Sequence, residues 1–477
     1  MSPKGPDGCT RFDVHCHYFN GAYAFREALA IGWNAMWGNY PHRTDRAMRL
    51  PAKPLRGLEN WKEMVAYVAR LFGTVLQSCD GHWAYEQTQY SSVFGPGATL
   101  VTAPLMMDIY YIFDKGDDTS WDTRAPLALP RYAAALDALA IPAGNETEFR
   151  EYAEDVKAQV LAEVAAQARK QKGPRAAIKS TVAEIDGVLG GVIDEFVKEP
   201  EGAATRRAAL QTVRGAELSR GFAAHLEELV ELRQNHPSCV YPFLAVDPRR
   251  LGILGLATDL LRKGHFVGVK LYPPLGYLPS HPALEPVFAL CESGSGFPVT
   301  VHCSPAGFPT PLTKVCVHST DPAERPYWEK SATETCASQY FADPVRWNAV
   351  FAKHATLRVN FAHFGGNKNV LDYARSLRTG APLPPEKSWT ARIIDLMEHR
   401  ENVYADLAYC PDPATVASVE TIVKSHPVVA ERLMFGTDYI MIMLEENIGG
   451  LEPYFRTYQG LSQKLFIDNA RKFMGLA

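Results

Sequence analysis

No stretch of the chain offers the roughly 18 uninterrupted apolar residues needed to cross a bilayer, although 47% of its 477 residues are hydrophobic. A membrane span is therefore not expected. The start, Met1-Ser-Pro-Lys-Gly-Pro-Asp-Gly8, lacks the apolar core of a signal peptide. CxxC spacing is also missing: the nine cysteines are odd in number and scattered, which suits a reduced cytoplasmic protein better than a disulfide framework. Strong charge of either sign is absent. Lys and Arg total 49 against 53 Asp and Glu, for a net charge of -4, and no basic run interleaves with aromatics. Neither nucleic acid nor an acidic membrane is an expected partner. There is no internal repeat and no low-complexity tract. The length calls for one large domain with insertions, or two domains.

Against this background one pattern stands out. His15 and His17 lie one residue apart in Arg11-Phe-Asp-Val-His-Cys-His17, where a first apolar strand should end. Side chains two apart in a strand share a side, so the two imidazoles can form half of a metal site, with Cys16 facing away into the core. Downstream, Val299-Thr-Val-His302, Val359-Asn-Phe-Ala-His363 and Leu433-Met-Phe-Gly-Thr-Asp438 are further short apolar runs. Each ends in a residue able to bind a metal or move a proton. Cys303, beside His302, should face the opposite side.

Eight candidate strands follow in order: 11–15, 99–111, 239–246, 266–272, 298–303, 356–363, 402–407 and 432–438. Helical patterns separate the later ones, at 284–292, 344–354, 389–400 and 415–426, and a helix near 221–234 leads into the third strand. Strands alternating with helices predict a parallel sheet with covered faces. Eight such units predict an α/β fold, a (β/α)8 TIM barrel, whose chemistry sits at the C-terminal strand ends. The spacing is uneven. An aromatic-rich stretch fills the first gap, and the second contains a helical pattern over 148–172 ended by Gly173-Pro174. These gaps predict a large, mostly helical insertion, or cap, between the first and third strands. It either covers the strand-end face, extends the core or makes an oligomer contact.

A divalent metal needs several lone-pair donors at about 2 Å, held in place before it arrives. The available donors are His15, His17, His302, His363 and Asp438. Three or four protein ligands with an open position define a catalytic centre, in which a bound water can titrate near pH 7. Asp438 can both bind the metal and accept a proton, and a remaining histidine can polarise substrate or shuttle the proton. Nitrogen-rich sites with one carboxylate suit Zn2+, with Mn2+, Co2+ or Fe2+ also compatible.

The ordered motifs Phe12-Asp-Val-His-Cys-His17, Val246-Asp-Pro-Arg249, Gly268-Val-Lys-Leu-Tyr-Pro273, Val301-His302, Phe361-Ala-His363, Asn402-Val-Tyr-Ala-Asp406 and Phe435-Gly-Thr-Asp-Tyr439 resemble the amidohydrolase superfamily. The likeness is to its amidohydrolase-2 branch of metal-dependent TIM-barrel hydrolases and decarboxylases. Asp468-Asn-Ala-Arg-Lys-Phe-Met-Gly-Leu476 is similar to the branch's last helix. The resemblance covers residues 9–50, 95–115 and 220–477 as the barrel, leaving about 51–94 and 116–219 as the inserted cap. It implies that His15, His17, His302 and Asp438 bind one metal, and that Asp438 and His363 are catalytic. Lys270 and His363 are candidates for a second metal or for substrate: Lys270 as a carboxylated bridge, or only as a positive charge near the pocket. His363 hydrogen-bonded to a ligand, and Lys270 paired with a carboxylate, are the plainer readings. Asp406 and Asp108 could orient a ligand or be tied to backbone amides. Tyr272 and Tyr439 could line a substrate pocket or pack the cap. The loop 303–318 should face substrate.

The expected activity is hydrolysis of an amide or ester (C–N or C–O) bond of a small organic substrate by metal-activated water. The alternative is non-oxidative decarboxylation, a lyase reaction, of an aromatic or unsaturated carboxylic acid. The remote alternative is a non-catalytic binding barrel. Hydrolysis is preferred on the strength of Lys270 and the large cap. The family habit implies a homodimer or other homo-oligomer.

Overall fold

The computed structural model describes residues 11–19, 77–108, 220–250, 252–294, 296–310, 312–331, 336–443 and 450–476, with isolated positions between 154 and 190. Most of the expected cap, including the helix at 148–172, lies outside the described residues. Among them the elements run β1 (Arg11–Cys16), α1 (Cys79–Phe94), β2 (Leu100–Pro104), α2 (Arg220–Asn235), β3 (Phe243–Ala245), α3 (Ile253–Arg262), β4 (Gly268–Leu271), α4 (Glu285–Glu292) and β5 (Val299–Val301). A short antiparallel hairpin, β6 (Lys314–Cys316) and β7 (Tyr327–Glu329), interrupts the alternation. The chain then continues through α5 (Asn348–Lys353), β8 (Val359–Phe361), α6 (Asn367–Arg378), α7 (Trp389–His399), β9 (Val403–Asp406), α8 (Ala414–Ser425), β10 (Leu433–Met434), α9 (Leu451–Tyr458) and α10 (Asn469–Met474).

The fold is mixed α/β. Strands β3, β4, β5, β8, β9 and β10 form one parallel sheet in that spatial order, and β1 pairs with β2 in parallel. Backbone hydrogen bonds flank this pair on both sides. Val14 N donates to Phe435 O (3.1 Å) beyond β10, while Tyr241 N donates to Thr102 O (2.9 Å) and Met106 N to Phe243 O (3.0 Å) at β3. The sheet strands are buried along their whole length. This explains why they read as apolar runs without alternation.

The polar exceptions in those strands fall in register. Lys270 on β4 lies opposite Thr300 on β5, and Thr300 opposite Asn360 on β8. The Asn360 amide reaches on to Asp406 at the end of β9 (2.7 Å). A polar row thus crosses three strands in register and steps two residues further along β9 to Asp406, close to where the histidines emerge.

Residues 79–94, which the sequence reading placed within the cap, form a helix. Ser78 starts it by accepting from Gly81 N, and it packs against α2 and α9. Its buried stripe is Cys79, His82, Glu86 and Tyr90. Two of those four, His82 and Glu86, are strongly polar, so apolar periodicity could not reveal which face is inside. Among the described residues the eight cysteines are all free. No described helix is long and apolar enough to cross a membrane.

Candidate metal centre

Strand β1 delivers His15 and His17 side by side. A register irregularity between Asp13 and Cys16 interrupts its pairing with β2, a local twist common beside functional sites. The two imidazole Nε2 atoms are 3.2 Å apart. Asp438 Oδ1 lies 3.2 Å from His17 Nε2 and 3.8 Å from His15 Nε2. The other ring nitrogens are engaged: His15 Nδ1 donates to Asp406 Oδ2 (3.1 Å) and His17 Nδ1 to Leu105 O (2.7 Å). With the protons on Nδ1, both Nε2 atoms carry bare lone pairs. Two lone pairs and a carboxylate oxygen therefore converge on one point. Asp438 Oδ1 is buried with no hydrogen-bond partner among the described residues. Such a set is repulsive unless a cation sits within it, at the about 2 Å separations a divalent ion requires, so the residues present fit a metal.

The backbone is strained to achieve this. Asp438 has φ 58°, His363 φ 64° and Phe364 φ 49°. These left-handed values cost non-glycine residues on the order of 1–3 kcal/mol and cluster at functional sites. The turn at Asp438 is held by its N–H donating to His15 O (2.7 Å). Gly436 lets it approach, since a Cβ there would lie 2.8 Å from His15 Cβ.

His302 and His363 form a second pair, and His363 also closes on the first, with a ligand atom within 4.8 Å of those of His15 and Asp438. His302 Nε2 donates to Ala306 O (2.9 Å) and His363 Nδ1 to Ala408 O (3.0 Å). This leaves His302 Nδ1 and His363 Nε2 facing each other at 3.0 Å, an arrangement that calls for one shared proton or a cation. The His363 ring lies 4.8 Å from that of His15, and its Nδ1 is 4.0 Å from Asp438 Oδ2.

Burial governs the charges. It pushes His15 down to about 3 and lowers His302 and His363, so each favours the neutral form. Burial alone would raise Asp438 and Asp406. Contacts with His17 and His15 hold Asp438 below the usual carboxylate range, and His15 with the backbone amide of His363 does the same for Asp406. Lys270 is lowered to about 8 by burial, against the pull of Asp406 and Asp438. Its Nζ is buried and has no hydrogen-bond partner among the described residues.

The other candidates find varied places. Asp406 serves both roles weighed for it: it accepts from the backbone of His363 (2.9 Å) and Ala408 (3.0 Å), and it orients His15. Asp108 does not reach the centre, because Arg250 takes it in a two-pronged ion pair with both bonds at 2.8 Å. Tyr272 packs its ring 4.6 Å from that of His302, and its hydroxyl accepts from Phe308 N (2.7 Å). This pins the loop after β5 over His302. Tyr439 is buried with its hydroxyl 3.2 Å from His82 Nδ1, so it faces the supporting helix.

Sequence reasoning passed over Asp13, His82, Glu86 and His225. His82 Nε2 donates to Phe19 O (3.0 Å) and His225 Nε2 to Tyr18 O (2.8 Å). Helices α1 and α2 thereby clamp the chain just after His17. Two ionisable residues four apart, His82 and Glu86, mark one helical face and were the available signal.

Several solved structures resemble the chain. A 2,6-dihydroxybenzoate decarboxylase from Rhizobium shares 18% identity over 57% of this chain and 79% of its own, with a TM-score of 0.33. A 5-carboxyvanillate decarboxylase from Sphingomonas paucimobilis shares 12% over 52% and 71%, with a TM-score of 0.33. A 5-carboxyvanillate decarboxylase from Novosphingobium aromaticivorans with bound manganese shares 11% over 100% and 99%, with a TM-score of 0.45. No curated protein matches. The amidohydrolase family model matches residues 12–476, nearly the whole chain, and the chain belongs to the amidohydrolase superfamily in its amidohydrolase-2 branch.

Proposed function

We propose that this protein is a metal-dependent, non-oxidative decarboxylase of a small aromatic or unsaturated carboxylic acid. The observation that carries the reading is Lys270, a buried ammonium with no hydrogen-bond partner among the described residues, beside the histidines and aspartates of the centre. A buried cation in that state calls for an anionic partner, which a carboxylate substrate supplies and a neutral amide or ester does not. The sequence preference for hydrolysis used Lys270 as a bridge between metals; as a charged wall it favours the alternative.

The eight parallel strands form a closed (β/α)8 barrel in this proposal. Its support is the run of backbone hydrogen bonds from β10 through β1 and β2 to β3. His15, His17 and Asp438 would hold a divalent ion, leaving His302 Nδ1 to His363. Bound there, the ion would supply Lewis acidity to oxygen atoms of the acid. Lys270 draws the carboxylate in. The His302–His363 pair holds one proton between Nδ1 and Nε2, loosely because burial disfavours its charge. Loss of carbon dioxide leaves an electron pair on the substrate carbon. That pair takes the proton from the histidines, so one proton is consumed for each carbon dioxide released.

Hydrolysis of an amide or ester is the second reading, favoured by the unpartnered Asp438 oxygen as a proton acceptor. One assay separates the two. Protein loaded with Mn2+ or Zn2+ is given 2,6-dihydroxybenzoate, 5-carboxyvanillate and related acids, and in parallel a panel of small amides and esters. Released carbon dioxide is expected, with Lys270→Met raising KM for the acid at least about tenfold. Turnover of neutral amides or esters, with no carbon dioxide from any acid, would establish hydrolysis instead.

A further inference from the structure

Beside the centre, α1 and β1 bury two carboxyl groups against each other. Asp13 and Glu86 are both fully buried, and their oxygens lie within 4.8 Å of one another together with Cys16 Sγ. Two buried carboxyl groups this close repel unless one of them keeps its proton, which can then bridge the pair. Asp13 is the clamp of the metal centre. Its Oδ1 accepts from His15 N (2.9 Å) and Thr437 N (3.1 Å), and its Oδ2 from the Thr437 hydroxyl (2.5 Å). One carboxylate thus ties the β1 segment bearing His15 to the turn bearing Asp438. Glu86 in turn accepts from the Tyr18 hydroxyl through Oε2, and Thr437 Oγ1 reaches its Oε1 at 3.5 Å.

We infer that Glu86 is a positioning residue: as a protonated acid it donates to Asp13 and fixes the clamp that aligns His15 with Asp438. The inference rests on reading those two residues as metal ligands. Glu86 acts on them through Asp13 and Thr437, and it lies on a helix the sequence placed outside the barrel. The same helix adds His82 on Phe19 O. Its buried face therefore braces the β1 exit at two points, four residues apart. A side chain that must stay neutral to donate should be replaceable by its uncharged isostere. Removing its donor altogether should loosen the distance between His15 Nε2 and Asp438 Oδ1.

The test is Zn2+ affinity by competition with a chromophoric chelator, for the parent, Glu86→Gln, Glu86→Leu and Tyr18→Phe, with thermal melting alongside. Glu86→Gln keeps a donor for Asp13 and an acceptor for Tyr18, and should bind Zn2+ within about threefold of the parent. Glu86→Leu should bind about 10- to 100-fold more weakly. Tyr18→Phe removes only the phenol donor to Glu86 and should weaken binding about threefold or more, so the inference stays open to refutation if Glu86→Leu does not fold. A folded Glu86→Leu with parent affinity, a Glu86→Gln as weak as Glu86→Leu, or a Tyr18→Phe equal to the parent overturns the inference and leaves the metal reading intact. A parent that binds no divalent ion overturns both.

Discussion

Asp406→Asn is the sharpest perturbation of the centre, because it changes one atom and reverses a hydrogen bond. In the parent, Oδ1 of Asp406 accepts from the backbone N–H groups of His363 and Ala408, while Oδ2 accepts from His15 Nδ1 and the Asn360 amide. An asparagine must keep its oxygen on the two fixed backbone donors and turn its NH2 towards His15 and Asn360. Asn360 can rotate its amide to offer Oδ1, which has no partner now. His15 can only answer by moving its proton to Nε2, and that removes the lone pair facing His17 and Asp438. A hydrogen bond to a charged group is worth about 1.5–3 kcal/mol. At about 1.4 kcal/mol per tenfold, its loss corresponds to roughly 10- to 100-fold in metal affinity, the range typical when an outer partner of a ligand histidine is replaced. Zn2+ competition against a chelator should show that weakening, with a melting temperature near the parent's because the shape is unchanged. An Asp406→Asn protein with parent affinity would show that the His15 proton does not sit on Nδ1, and the argument for convergent lone pairs would fall.

Two further outcomes are expected. Burial lowers His15 to about 3, His82 to about 4 and His225 to about 4, whereas an unfolded histidine titrates near 6.5. Their stabilisation is complete above pH 6.5 and is lost as pH falls, because only the unfolded chain takes up the protons. Each histidine costs about 1.4 kcal/mol per pH unit below that point. Metal-free protein should melt at markedly lower temperature at pH 5 than at pH 7; a flat profile would contradict the buried, neutral assignment. At Gly307 (φ +118°) a Cβ would lie 2.7 Å from both His302 Nε2 and Tyr272 Oη. Gly307→Ala should therefore lift the loop from His302 and lower kcat/KM by about tenfold or more, while bound metal is unchanged. Parent-level kcat/KM would show that the loop's seat on His302 does not matter to turnover.

That these side chains would gather at one place was legible along the chain, and what supports them was not. His15, His17, His302, His363 and Asp438 declare themselves because each ends a short apolar run, and in a parallel α/β sheet every strand delivers its last residues to the same side. Local sequence and strand period decide that much. The distribution of those residues into a His15–His17–Asp438 triangle and a facing His302–His363 pair was decided by the acceptors each ring meets. Leu105 O, Asp406, Ala306 O and Ala408 O come from three separate segments, and no local pattern encodes which nitrogen they claim. The helix at 79–94 hid for the same kind of reason. Its inner stripe contains His82 and Glu86, residues that look solvent-facing until the carboxyl of Asp13 and the carbonyl of Phe19 arrive from β1 to satisfy them. A chain announces its apolar periods by itself; a buried polar group is explained only by its partner, and the partner is brought by the fold.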